Sequence, residues 1–202
     1  MARIFVLSGA SGAGKSTIAQ ACAMLNERVV LIVKGTTRPD RPGEANPDCV
    51  YDPDFATRYG DAEKFLVYQM NQNFYSIELV AIKEVAESGQ CPAVIVTDAA
   101  TIERLRALFP GKVVVVFVHR DRSLGSVREL VRARLIATTG LLSVDLEQRV
   151  EADVQARWAA REMTYDQLAS GELRPDHVVF NNGTITQAVN WMLRIIGSNT
   201  NG

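Results

Sequence analysis

Eight residues near the amino terminus have the types and spacing of a loop that binds phosphate. The segment from Gly9 to Ser16 reads GASGAGKS and fits GxxxxGK[ST], and it lies between an apolar run and a segment of helical period. Glycines let backbone N–H groups curl around phosphate oxygens, and the start of the helix adds partial positive charge. We therefore predict a site for ATP at Gly9, Ala10, Ser11, Gly12, Ala13, Gly14, Lys15, Ser16 and Thr17.

Two residues of this loop have separate predicted roles. Lys15 is expected to reach the β- and γ-phosphates and to act in catalysis, and the Ser16 hydroxyl is expected to ligate Mg²⁺. The alternative is a glycine-rich turn that only starts a helix. A chance match to this motif in a chain of this length is roughly a 1% event at average residue usage.

A second group of basic residues lies in a proline-rich stretch. Residues 35–44 read GTTRPDRPGE, so Arg38 and Arg41 are three positions apart in a turn stiffened by proline. Two planar guanidinium groups held in this way can bind one phosphate with little loss of entropy. The pattern predicts a site for a small phosphorylated substrate, and a solvated charged loop is the alternative.

Together the two segments resemble those of the guanylate kinase family, whose members pair a loop like SGASGAGKST with a segment like TTRPxRPGE. Residues 73–75 (NFY) look like the family's Asn-Tyr-Tyr, and Asp98 falls where the family has an acid after the third core strand. Residues 180–182 (FNN) fit the turn beside adenine. The resemblance implies a kinase that uses ATP and Mg²⁺ and has a core, a lid and an acceptor-binding part.

The resemblance also implies roles for residues outside the phosphate loop. Arg134 and Arg149 would approach from the lid and neutralise charge on the transferred phosphoryl group, although helix arginines are commonly solvated surface groups. Asn181 would contact the nucleotide. Asp98 directly precedes a predicted helix, so a helix cap is its alternative role. The implied substrate-binding residues are Lys34, Arg38, Arg41, Glu44, Tyr51 if one residue is inserted before it, Tyr75 and Asp98.

Three positions depart from the pattern by which guanylate kinases recognise guanine. Where the family has serine, glutamate and serine or threonine, this chain has Lys34, Leu66 and Ile77. Leucine cannot accept hydrogen bonds from guanine, and each donor left unpaired costs about 1 to 3 kcal/mol. Exchanging serine for lysine and glutamate for leucine also predicts a base pocket that is two charges more positive.

These departures leave three hypotheses for function. The first is a guanylate-kinase-like nucleoside monophosphate kinase with altered or relaxed base choice. The second is a kinase for a phosphorylated sugar, because ribose 1,5-bisphosphate kinase is similar at the three positions, although it lacks the arginine found here as Arg41. The third is a guanylate-kinase-like module that binds proteins without turnover. The intact Lys15 and Ser16 favour the two kinases.

The hydrophobic pattern indicates the elements that must position these residues. Short apolar runs alternate with longer segments of helical period, which predicts an α/β fold: a P-loop NTPase three-layer core with a parallel sheet, an acceptor-binding insertion and a helical lid. The predicted core is 1–33, 77–121 and 172–197, the insertion 34–76, and the lid with its flanking helices 122–171. Strands are predicted at 3–8, 28–33, 93–97, 112–119 and 177–180, and helices at 15–26, 76–88, 99–108, 123–137, 144–169 and 184–196.

Composition limits the kinds of partner. The 202 residues suit one domain, and 22 Lys+Arg against 23 Asp+Glu give a net charge of -1, so no basic field draws the chain to polymeric nucleic acid. No stretch approaches the ~20 apolar residues of a membrane span, and the first apolar run is too short for a signal peptide. The three cysteines form no disulfide or zinc pattern. We expect a soluble, cytoplasmic protein without membrane partners, whose oligomeric state the sequence does not set.

Overall fold

A computed structural model describes residues 1–39, 48–70, 72–139 and 144–200. Within these residues the chain forms nine strands and seven helices. The strands are β1 (Ile4–Ser8), β2 (Val29–Leu31), β3 (Lys34–Thr36), β4 (Cys49–Tyr51), β5 (Phe65–Met70), β6 (Asn73–Glu78), β7 (Cys91–Ile95), β8 (Val113–His119) and β9 (His177–Phe180). The helices are α1 (Lys15–Leu25), α2 (Phe55–Arg58), α3 (Leu79–Glu87), α4 (Ala99–Leu108), α5 (Leu124–Thr139), α6 (Val144–Ala169) and α7 (Ile185–Thr200).

The central sheet has five strands in the order β2-β7-β1-β8-β9, and each neighbouring pair is parallel. Side chains of β1 alternate between two buried layers: Phe5 and Leu7 pack with α1 and α7, and Ile4 and Val6 pack with α3 and α4. Burial on both faces explains why the strands read as continuous apolar runs. The phosphate loop therefore follows the middle strand, at the edge where the parallel strands end.

A second sheet of four strands, in the order β4-β3-β6-β5, is built from residues 34–78. Strand β3 pairs parallel with β4 and antiparallel with β6, and β6 pairs antiparallel with β5. The sequence predicted a helix from residue 76. In the structure Ser76 lies in β6, where it pairs with Val67 of β5, and the helix begins at Leu79. Pairing on both sides of β6 overrides the local helical pattern there.

The long helices α5 and α6 pack against each other through a small apolar cluster that includes Val131, Val150 and Val154. Helix α6 then runs back toward the central sheet, where Tyr165 packs edge-on against Phe117 of β8. None of the helices in the described part of the chain has both the length and the apolar character that a membrane span needs.

Candidate active site

The phosphate loop joins β1 to α1 and depends on glycine at defined positions. Gly9, Gly12 and Gly14 have φ values of 134°, 75° and 95°, a region that L side chains rarely adopt. A Cβ on Gly9 would lie 2.3 Å from the carbonyl oxygen of Val118, and one on Gly14 would lie 2.4 Å from Nδ2 of Asn181. The loop is thus a tight cradle that side chains would fill, which fits the binding of phosphate oxygens by backbone N–H groups.

Asn181 supports this cradle from the end of β9. Its buried side chain donates from Nδ2 to the carbonyl oxygen of Ala13 at 2.8 Å, and its backbone N–H bonds to the carbonyl oxygen of His119. The side chain therefore fixes the loop against the sheet. Its predicted contact with the nucleotide remains a prediction.

Lys15 lies in the first turn of α1 with its ammonium group folded onto the loop. Its Nζ donates to the carbonyl oxygens of Gly9 at 2.7 Å and Ala10 at 2.9 Å. Burial, together with the neighbouring charge of Lys34, lowers the pKa of Lys15 to about 8. The charged form is therefore less favoured than in an ordinary lysine, and an anion in the loop would restore it.

A cleft of about 530 Å³ opens between the phosphate loop, the second sheet and α6. It brings together seven of the residues predicted from the sequence: Ser11, Gly12, Lys15, Ser16, Lys34, Arg38 and Tyr75. The loop supplies the donor end of this cleft and the second sheet supplies the acceptor end. Two sites predicted from separate segments thus face one space.

Lys34 and Asp48 form a buried ion pair at the centre of the cleft. Nζ of Lys34 lies 3.3 Å from Oδ2 of Asp48 and donates to the carbonyl oxygen of Ile95 at 2.6 Å. The Asp48 carboxylate and the Ile95 carbonyl oxygen thus engage two of the three donors of the ammonium group. Burial alone would lower the pKa of Lys34, but Tyr68, Cys49 and Asp48 raise it above its usual value.

Asp48 also reaches the phosphate loop. The Ser16 hydroxyl lies close enough to its carboxylate to influence the pKa of Asp48. Burial alone would raise the pKa of Asp48, but Lys34 and the Ser16 hydroxyl lower it below its usual value. The sequence predicted a pocket two charges more positive than in the family, and the Asp48 carboxylate offsets one of those charges.

Two stacked tyrosines close the acceptor end. Tyr68 and Tyr75 are opposite each other on β5 and β6, with ring centroids 5.4 Å apart and planes at 19°. The next pair on the same face is Leu66 and Ile77, which are 1% and 0% exposed and belong to the core. The cleft therefore ends at the tyrosine pair, and the two apolar positions noted in the sequence lie behind it.

Several predicted residues lie elsewhere. Tyr51 is 42% exposed and lies outside the residues that line the cleft, where Cys49 stands opposite Lys34 in the β3–β4 register. Asp98 caps α4, since its carboxylate accepts from the backbone N–H of Thr101 at 2.7 Å. Among the remaining predictions, Arg41 and Glu44 lie outside the described residues, as does the side chain of Arg134.

Helix α6 contributes residues that sequence reasoning missed. It lines the cleft with a face that includes Asp153, Ala156, Arg157 and Ala160. Arg149 is exposed and lies one turn before Asp153 on that same face, because residues four apart share a helix face. Arg157 follows Arg149 by about two helical turns, so the helical periodicity that placed Arg149 could also have indicated Arg157.

Comparison with known proteins decides the family. A sequence model described as "Guanylate kinase" matches residues 1–168. The chain belongs to the guanylate kinase family. This confirms the resemblance drawn from the phosphate loop and the TTRPDRPGE segment.

The family relatives include a guanylate kinase of Maricaulis maris, 30% identical over 142 residues that cover 69% of this chain and 64% of the relative. A guanylate kinase of Dechloromonas aromatica is 30% identical over 156 residues, covering 76% of this chain and 73% of the relative. The chain thus spans less than two thirds of the Maricaulis relative.

A solved structure of guanylate kinase from Anaplasma phagocytophilum superposes with a TM-score of 0.66 at 17% identity, covering all of this chain and 87% of the other. This likeness concerns the fold. It confirms the predicted α/β class with a parallel sheet and a phosphate loop.

Proposed function

We propose that this protein transfers the γ-phosphate of ATP to the phosphate group of a nucleoside monophosphate, with a base preference that differs from guanine. The observation that carries the proposal is the convergence of Lys15, Ser16, Arg38 and Tyr75 on one cleft. Cations and hydroxyl groups placed between two phosphate sites suit transfer between them. Such chemistry needs positioning and charge neutralisation rather than a protein nucleophile.

In the proposed reaction the bond between the γ-phosphorus and the βγ-bridging oxygen breaks as an acceptor phosphate oxygen bonds to that phosphorus. The products are ADP and a diphosphate. The loop N–H groups hold the donor phosphates, and Lys15 leaves its carbonyl partners in the loop to bind the β- and γ-oxygens. Arg38 holds the acceptor phosphate at the other end of the cleft, with Arg41 as its predicted companion.

The oxygen atoms beside the loop suit Mg²⁺. The Ser16 hydroxyl and the Asp48 carboxylate both line the cleft, and oxygen ligands of this kind are those that Mg²⁺ prefers. Ser16 would ligate the ion directly, and Asp48 would hold the hydroxyl in orientation. Bound Mg²⁺ would neutralise charge on the β- and γ-phosphate oxygens.

A phosphorylated sugar is the second candidate acceptor. The cleft ends at Tyr68 and Tyr75, and the position where the family has a base-binding glutamate is the buried Leu66. Both features favour an acceptor without a purine. Because the Lys34 ammonium group is paired with Asp48 and bonded to the carbonyl oxygen of Ile95, we expect Arg38 to bind the acceptor phosphate in either case.

A coupled assay of ADP release with Mg-ATP separates these candidates. The acceptor panel contains the nucleoside monophosphates and ribose 1,5-bisphosphate. We expect acceptor-dependent ADP release, with GMP not the preferred acceptor. Activity with GMP alone, at ordinary efficiency, would contradict the altered base preference.

The interaction-module hypothesis predicts a different outcome. When the ATP concentration is 100 times the dissociation constant, a protein that binds ATP gains about 2.7 kcal/mol of stability, and its melting temperature rises. A melting temperature that ATP leaves unchanged, together with no ADP release, would favour a binding module.

A further inference from the structure

Four arginines gather beside the phosphate loop. Arg120 and Arg122 follow β8, and Arg157 and Arg161 lie one turn apart on α6. Burial lowers the pKa of Arg122, and the nearby charges of Arg120, Arg161 and Arg157 lower it further. Like charges held together are unfavourable, so this group needs an anion to offset it.

Arg122 lies directly against the loop. A Cβ built on Gly12 would be 3.7 Å from Nε and 3.8 Å from Cζ of Arg122. Gly12 lines the cleft, and so does Arg157 from α6. Arg157 thus lines the cleft from the long helix, and Arg122 lies beside Gly12 at the donor end.

Several donors of this cluster are buried without a partner in the part of the chain that the structure describes. They are Nε of Arg122, Nη2 of Arg157 and Nη1 of Arg161. Buried polar groups are normally hydrogen-bonded, and an unpaired one costs free energy. Three such donors at one place indicate a missing acceptor with several oxygen atoms.

The described acids near the cluster are already engaged. Asp153 pairs with Nε of Arg157 at 3.2 Å, and Asp121 bonds to His119 and Asn182. Arg161 donates to the carbonyl oxygen of Arg120 at 2.9 Å. The arginine charges therefore outnumber the acids that face them, and side-chain exposure of 17% for Arg157 sets it apart from a solvated surface arginine.

We propose that Arg122 and Arg157 bind the terminal phosphates of the donor nucleotide and neutralise charge on the transferred phosphoryl group. This rests on the proposed function and assigns the role to residues other than the predicted Arg134 and Arg149. Planar guanidinium groups match phosphate oxygens in pairs of hydrogen bonds. Arg122 lies in the connection between β8 and α5, beside the phosphate loop. Arg161 stacks over Tyr165 at 4.9 Å and positions the cluster.

The test is calorimetric binding of inorganic tripolyphosphate and of Mg-ATP to the wild type, Arg122→Ala, Arg122→Lys and Arg157→Ala. We expect tripolyphosphate to bind at least about tenfold more weakly to Arg122→Ala and to Arg157→Ala, with a smaller loss in Arg122→Lys. Arg28→Ala is the matched control, because Arg28 is exposed and precedes β2 at the opposite edge of the sheet. It should bind like the wild type. Melting temperatures identify folded variants, and Arg157→Ala provides the reading if Arg122→Ala fails to fold.

Wild-type affinity for tripolyphosphate in folded Arg122→Ala and Arg157→Ala would overturn this inference and leave the proposed function standing. Weakened binding in both variants, in a protein that transfers phosphate to no acceptor, would support the anion site and contradict the proposed function. The experiments can therefore contradict the arginine site without contradicting the proposed function, and the reverse.

Discussion

The ammonium group of Lys34 lies 3.3 Å from the carboxylate of Asp48, and their side chains are only 5% and 9% exposed. This pair links β3 to the residue that directly precedes β4, and the bond from Lys34 to the carbonyl oxygen of Ile95 extends the connection to the central sheet. Asp48 also contacts Ser16 in the phosphate loop. The acceptor and donor parts of the cleft are thereby fixed relative to each other.

Removal of one partner of this pair should destabilise the protein. In Asp48→Ala the Lys34 charge stays buried without its carboxylate, and breaking a buried pair in this way costs about 3 to 5 kcal/mol. The double variant Lys34→Met/Asp48→Leu removes both charges and should be more stable than Asp48→Ala. Urea denaturation measures both free energies of unfolding. A loss below about 1 kcal/mol in Asp48→Ala would show that the pair is not coupled as the contacts indicate.

Nucleotide affinity should fall as pH rises above about 8. Burial and Lys34 lower the pKa of Lys15 to about 8, so the free protein loses this charge at a lower pH than it would with an ordinary lysine. Since phosphate binds the charged form, the dissociation constant of ADP should rise above that pH, by up to about tenfold per pH unit. Calorimetry from pH 7 to 9.5 measures it. The Lys15→Ala variant, which has no group to titrate there, should lose this rise, and a flat profile in the wild type would contradict the assignment.

Substitution of Asn181 should weaken nucleotide binding through its effect on the phosphate loop. The side chain holds the carbonyl oxygen of Ala13 at 2.8 Å, and Asn181→Ala leaves that buried acceptor unpaired at a cost of about 1 to 3 kcal/mol. Both the free energy of unfolding and the affinity for ADP should fall. Asn199→Ala is the control: it removes the bond from Asn199 Nδ2 to the carbonyl oxygen of Ile195 in α7, and it should leave the affinity for ADP unchanged. An Asn181→Ala protein with wild-type affinity would mean that the loop keeps its shape without this bond.

Arginine substitutions at the acceptor end should weaken binding of the acceptor much more than binding of ATP. Arg38 lines the cleft on the second sheet side, so Arg38→Ala should raise the KM of the acceptor about tenfold or more, while the dissociation constant of ATP changes little. The predicted companion Arg41 should behave in the same way. Steady-state kinetics with varied acceptor and calorimetry with ATP provide the two readings. An equal loss of affinity for both substrates would argue against the placement of these arginines.

The parts of this protein that are local in sequence were predictable from it. The phosphate loop is a continuous motif, and the core strands are short apolar runs, so both could be recognised without tertiary information. The start of α3 was not predictable, because Ser76 belongs to a strand only through its pairing with neighbours in the second sheet. Sequence periodicity carries no information on such pairing.

The acceptor site shows the same limit. Lys34 was found from its place before the arginine segment, but its partner Asp48 follows a separate stretch of chain and has no sequence signal. The assignment of Tyr51 came from the family resemblance with one residue inserted before it, and the observed register places Cys49 opposite Lys34. Tyr68 was missed because no strand was predicted within residues 34–76, so nothing in the sequence indicated which of the aromatic residues there face the cleft.

Phosphorus NMR of the reaction products tests the central claim most directly. With Mg-ATP and an accepted phosphomonoester, we predict paired resonances of a new diphosphate on the acceptor that accumulate together with ADP, and that are absent with Lys15→Ala. A product mixture that contains only ADP and inorganic phosphate, or a new phosphate ester on a hydroxyl group of the acceptor, would contradict transfer onto the acceptor phosphate.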